Sequence, residues 1–174
     1  GSKIALAMEV FPGTTPAATK QRLADEAARK ATGRTYDRLF FRHWDAWADG
    51  RRSHLFVVPV AGGEPVDVMT SMDADAPTKP FGGSDEYAFT PDGKSIVFVA
   101  RDVGRSEAWS TNLDLFEAPV DGRDAPRKLT AANPATDTTP VFSPDGKTLA
   151  YLAMQRPGYE ADRLRIVLRA WPNG

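Results

Sequence analysis

Apolar residues in this chain gather in short runs of about six, broken by turn-forming residues, and the best-defined run occurs twice. Phe89 to Ala100 reads FTPDGKSIVFVA, and Phe142 to Ala153 reads FSPDGKTLAYLA, 53 residues later. Every position is identical or closely substituted. In Pro91-Asp92-Gly93 and Pro144-Asp145-Gly146, proline presets φ, aspartate bonds nearby backbone, and glycine takes the positive φ that closes a hairpin. The runs after the turns, SIVFVA and TLAYLA, are β-branched, aromatic and aliphatic without alternation, which predicts strands covered on both faces.

A second pattern also repeats. Leu55 to Val60 reads LFVVPV and Leu115 to Val120 reads LFEAPV, 60 residues on. Each meets a turn, Gly62-Gly63 or Asp121-Gly122, and then a short strand closing on threonine, Val66 to Thr70 or Lys128 to Thr130. Each unit therefore has four strands: a short one before the PDG turn, one after it, the LFxxPV strand, and a short outer one. The approximate units are 1–70, 86–130 and 139–174. Gly1 to Leu6 aligns with Gly93 to Phe98, and Arg165 to Trp171 takes the LFxxPV position. Both ends are thus expected to fall inside a unit. Four-stranded antiparallel units at this spacing are what a β-propeller needs, because each blade buries its faces on its neighbours. The expected fold is all-β: a partial β-propeller of about three blades with one inserted helix near 16–31.

That helix belongs to the first of three long connections between second and third strands. Thr15-Pro16 is a cap followed by proline at the first helical position, and Ala17 to Ala31 is rich in alanine and charged helix formers. Thr32-Gly33 ends it. Leu23 and a few alanines are its only apolar face, so it is expected on the surface. The connections run from about Phe11 to Arg52, from Arg101 to Asp114 and from Gln155 to Arg163. Equivalent connections of a propeller emerge on one face, where function usually sits. A structural blade needs only short turns there. Trp44 and Trp47 in the first connection, Glu107 and Trp109 in the second, and Glu160 in the third are the candidate substrate-binding residues. Large aromatics also serve packing, and a loop carboxylate is also an ordinary solvated acid.

Composition narrows the class. The formal net charge is −1, with 26% charged residues of mixed sign. No basic stripe tracks a phosphate backbone, so nucleic acid is not an expected partner. The absence of cysteine removes disulfides and thiolate metal sites, and fits either the cytoplasm or the periplasm. His43 and His54, the only histidines, lack a second ligand set, so no metal or other cofactor is expected. No apolar run approaches the roughly 20 residues of a membrane span. No G-x-S-x-G nucleophile elbow occurs: Gly104 to Ala108 and the Gly83-Ser84-Asp85 stretch both fail the pattern. No catalytic residue is assigned.

The FSPDGK-type repeats resemble those of TolB-type propellers. RHWDAWADGRRSHLF, EAWSTNLDLF and RPGYEADR add a more specific resemblance to the propeller of the prolyl oligopeptidase family of serine peptidases, closest to its acylaminoacyl-peptidase-like and dipeptidyl-peptidase 5-like members. It covers essentially the whole chain. The resemblance implies an N-terminal propeller on a C-terminal α/β-hydrolase domain that carries the triad and is missing here. The propeller would gate and help position a peptide substrate. A carboxylate such as Glu107 or Glu160 would pair with a substrate's α-ammonium. The alternative is a TolB-like module that docks a partner protein with no peptidase attached. A third class, a self-contained enzyme, is disfavoured because no nucleophile and base pair is apparent. Unpaired blade edges would also invite edge-to-edge self-association.

Overall fold

A computed structural model describes residues 1–174. Twelve strands and one α-helix follow in order: β1 (Lys3–Val10), α1 (Pro16–Ala27), β2 (Arg42–His43), β3 (Ala46–Trp47), β4 (Arg52–Pro59), β5 (Val66–Asp67), β6 (Tyr87–Phe89), β7 (Ser95–Ala100), β8 (Asp114–Pro119), β9 (Arg127–Lys128), β10 (Asp137–Phe142), β11 (Thr148–Ala153) and β12 (Arg165–Ala170). Three antiparallel sheets result: β1-β4-β5, β6-β7-β8-β9 and β10-β11-β12. β2 and β3 form a separate small hairpin. Only the middle sheet has four strands.

The same turn chemistry builds the second and third sheets. In the β6–β7 turn, the Thr90 hydroxyl donates to Asp92 Oδ1 at 2.7 Å, and Oδ1 also accepts from the Lys94 backbone at 3.0 Å. In the β10–β11 turn, Ser143 and Lys147 donate to Asp145 Oδ1 in the same way, at 2.6 and 3.1 Å. Gly93 and Gly146 take φ values of 66° and 69°. Register repeats too: Lys3 pairs with Pro59, Ser95 with Pro119 and Thr148 with Ala170.

The core explains why the β7 run is apolar throughout. Ile96, Phe98 and Ala100 point to the first sheet and pack with Leu55, Val57 and Met69. Val97 and Val99 point the other way and pack with Leu149 of the third sheet. The middle sheet is therefore covered on both faces. Burying each large apolar side chain contributes about 1.5–3 kcal/mol.

Three expectations need correction. The helix stops at Ala27, short of the expected 31, with Ala28 as its C-cap. Its one buried residue is Thr19, whose hydroxyl accepts from the Phe11 backbone. Past Ala27 the segment is exposed, and a helix without tertiary support is marginal at this length. The outer strands are two residues each, shorter than Val66–Thr70 and Lys128–Thr130. Thr70 is also not the counterpart of Thr130. The Leu115 N–H is bonded by Thr130 Oγ1, and the matching Leu55 N–H by Met69 Sδ. The second unit has one extra residue in its turn, which moves the match from Thr70 to Met69.

Candidate functional site

The three connections meet in pairs at one end of the sheets. Arg52 opens β4 and stands where the first two join. Its Nη1 and Nη2 donate to Glu107 Oε1 and Oε2 at 2.8 and 2.7 Å. Its Nε donates to Asp73 Oδ1 at 2.8 Å, and Nη1 also reaches Asp75 Oδ2 at 2.9 Å. Asp75 in turn accepts from the Ser53 backbone and pairs with Lys79, which bridges to Glu9. Arg38 of the first connection pairs with Asp73 at 2.6 Å. Burial opposes the charge on Arg52, but its bonds to Glu107 and Asp73 outweigh it and raise its pKa. Asp73 is likewise desolvated, yet Arg38 and Arg52 hold it below the usual carboxylate range.

Glu107 is thus fully engaged in a bidentate, charge-assisted pair, the strongest geometry available to a carboxylate. Trp109 lies two residues on and is 70% exposed. With Arg105 it faces Tyr36, Leu39 and Phe41 of the first connection across a cleft of about 540 Å³. Trp47 stacks near Tyr36 and Phe41, with ring centroids 6.1 Å from each. Trp44 sits in the β2–β3 turn with φ of 50°. It contacts His43 edge-on at 4.9 Å and lies 5.6 Å from Phe81. Both tryptophans are more than half exposed.

Glu160 sits elsewhere. The second and third connections touch where the Gly158 N–H donates to Thr111 Oγ1 at 3.0 Å. Glu160 lines a shallow hollow of about 340 Å³ there with Thr111, Tyr159 and Ala161. The structure therefore groups Glu107 and Trp109 with the Trp44–Trp47 segment, and sets Glu160 on the far side of the second connection. The histidines also part: His43 is exposed, and His54 is fully buried with Nδ1 2.9 Å from Asp67.

Sequence reasoning missed Arg52, Asp73 and Asp75. The available signal was the arginine pair before the β4 run and the acid-rich stretch Asp73 to Asp75. Nothing in the spacing says that they converge on Glu107.

No family model matches this chain. It is similar to proteins named dipeptidyl-peptidase 5. That of Porphyromonas gingivalis is 34% identical over 79% of this chain and 20% of its own length. That of Trichophyton equinum is 34% identical over 88% of this chain and 24% of its own. That of Porphyromonas endodontalis is 35% identical over 80% and 20%. The relatives are bacterial and fungal, and the chain spans between a fifth and a quarter of their length. No helix is long and apolar enough to cross a membrane.

Proposed function

We propose that this chain is three consecutive blades of a β-propeller, in units near 1–70, 86–130 and 139–174. We further propose that it serves as the non-catalytic N-terminal part of a serine exopeptidase. There it gates access and helps position peptides for a C-terminal α/β-hydrolase domain. The observation that carries this is the similarity to dipeptidyl-peptidase 5 over most of the chain. Sheets that repeat turn, register and face-to-face packing support the blade reading.

In this reading the connections face the peptide. Glu160, which lines an open hollow, is the residue to hold a substrate's α-ammonium. Glu107 has both oxygens on Arg52, so it shapes the site more than it offers a free anchor. Trp44, Trp47 and Trp109 present apolar surface to peptide side chains.

The test uses the full-length protein and peptides with free or acylated N-termini. Glu160→Gln should cost free peptides about 0.5–1 kcal/mol in kcat/KM, the scale of a charge pair in an open hollow. Acylated peptides should be nearly unaffected. Equal losses on both, or none on either, would remove the ammonium role. A full-length protein whose hydrolysis of peptides survives a serine-directed inhibitor would remove the peptidase assignment.

A further inference from the structure

The cleft between the first and second connections carries two charges, Asp37 and Arg105, that the reading above leaves unused. At about 540 Å³, it lies within the range of small-ligand sites. Its apolar lining is uncovered: Leu39 is 46% exposed, Phe41 39% and Trp109 70%. Grouped exposed aromatics of this kind mark binding surfaces.

Its charges are unequal in status. Arg38 is neutralised by Asp73. Asp37 on the same wall and Arg105 on the opposite wall line the cleft without an ion-pair partner in the chain. The walls themselves are tied down. Arg52 grips Glu107, which stands midway between Arg105 and Trp109. Through the shared Asp73, Arg52 also fixes Arg38 and hence the Tyr36–Phe41 wall. One guanidinium thus holds both sides apart in a set geometry, and a preorganised site loses less on binding.

We propose that this cleft binds a short zwitterionic peptide bearing an aromatic side chain. The ring lies among Trp109, Tyr36 and Phe41, the ammonium meets Asp37 and the carboxylate meets Arg105. Opposite unpaired charges on facing walls, over an apolar floor, match a ligand with the same three features. A dipeptide holds its ammonium and carboxylate one residue further apart than a free amino acid does, which suits charges carried on two different connections. The site differs from the Glu160 hollow, and binding there needs no turnover.

The experiment is calorimetric titration of the full-length protein, pretreated with a serine-directed phosphonate to block any hydrolase centre. The probes are glycylphenylalanine, its N-acetyl form, its C-terminal amide, and free phenylalanine. Acetylation and amidation should each weaken binding on the order of tenfold. Asp37→Asn should erase the acetylation penalty alone, and Arg105→Gln the amidation penalty alone. Trp109→Ala should weaken the three dipeptide probes alike. Saturable binding unchanged in the Asp37→Asn, Arg105→Gln double variant would overturn the proposal. So would phenylalanine binding as tightly as the dipeptide, or no saturable binding of any probe. These outcomes are independent of the Glu160 kinetics, so either idea can fail alone.

Discussion

At the scale of single residues, two glycines with nearly the same φ have different surroundings. Gly93 has open space where a Cβ would project, whereas a Cβ on Gly146 would come within 2.8 Å of Pro91 Cβ in the preceding turn. Gly93→Ala should therefore cost only the left-handed strain, about 1–2 kcal/mol. Gly146→Ala should add a clash and cost about 1 kcal/mol more. Urea unfolding midpoints check the difference. Asp137 makes a second test. Burial is the main cause that pushes its pKa up to about 6, with the Asp114 charge adding to it against bonds from Asn133 and Thr130. Its Oδ2 is closed off without a partner. A carboxyl whose folded pKa is raised favours folding below the unfolded value, near 4, and that contribution is lost as pH rises through about 6. Stability should thus fall across pH 4–6, and Asp137→Asn should remove roughly 1–3 kcal/mol of that fall. A denaturation series over this range, with and without the substitution, measures it. The turn acids have the opposite sign. The Lys94 backbone and Thr90 hydroxyl depress Asp92, and the Ser143 hydroxyl and Lys147 backbone depress Asp145.

At the scale of elements, the decisive contact is between segments remote in sequence. Arg52 begins a strand whose next five residues are buried, and its own side chain is only 14% exposed. Removing it leaves Glu107 and Asp75 as desolvated carboxylates at 16% and 9% exposure. Arg52→Met should cost about 3–5 kcal/mol, measured by chemical denaturation, while Glu107→Gln should cost less because it removes a charge instead of stranding one. The sheets depend on packing of another kind. Phe98 and Phe116 stack at 5.7 Å inside the contact between first and second sheets. Phe98→Ala should cost about 3–5 kcal/mol through lost transfer energy and the cavity left behind.

At the scale of the whole molecule, the two outer sheets differ from the middle one in what covers them. On the third sheet, Val141, Ile166 and Leu168 are 56%, 76% and 70% exposed. Ile166 pairs with Leu152, and Leu168 and Val141 pair with Ala150, so they share one face. Exposed apolar faces and unpaired edges favour association. Light scattering of this chain should show mass rising with concentration, and the Ile166→Lys, Leu168→Lys pair should suppress it. A constant monomer mass would dismiss self-association by this face.

The turns and the strands that flank them were legible in the sequence, because their causes are local. Proline at 91 and 144, aspartate at 92 and 145 and glycine at 93 and 146 set backbone angles and hydrogen bonds within six residues. The apolar runs after them declare burial on both faces without saying by what. Other features depended on the assembled sheets. The helix ends at Ala27 because support from Phe11 and β1 ends there. Thr70 was misaligned because register is set by pairing across the sheet, and one added turn residue shifts it. Glu107 looked like a free loop acid because its partner lies 55 residues away. Residues 36–41 and 105–109 make a cleft only once Arg52 and Asp73 hold them together. Those contacts arise from packing β4 beside the middle sheet, which hydrophobic pattern and turn chemistry do not encode at that distance.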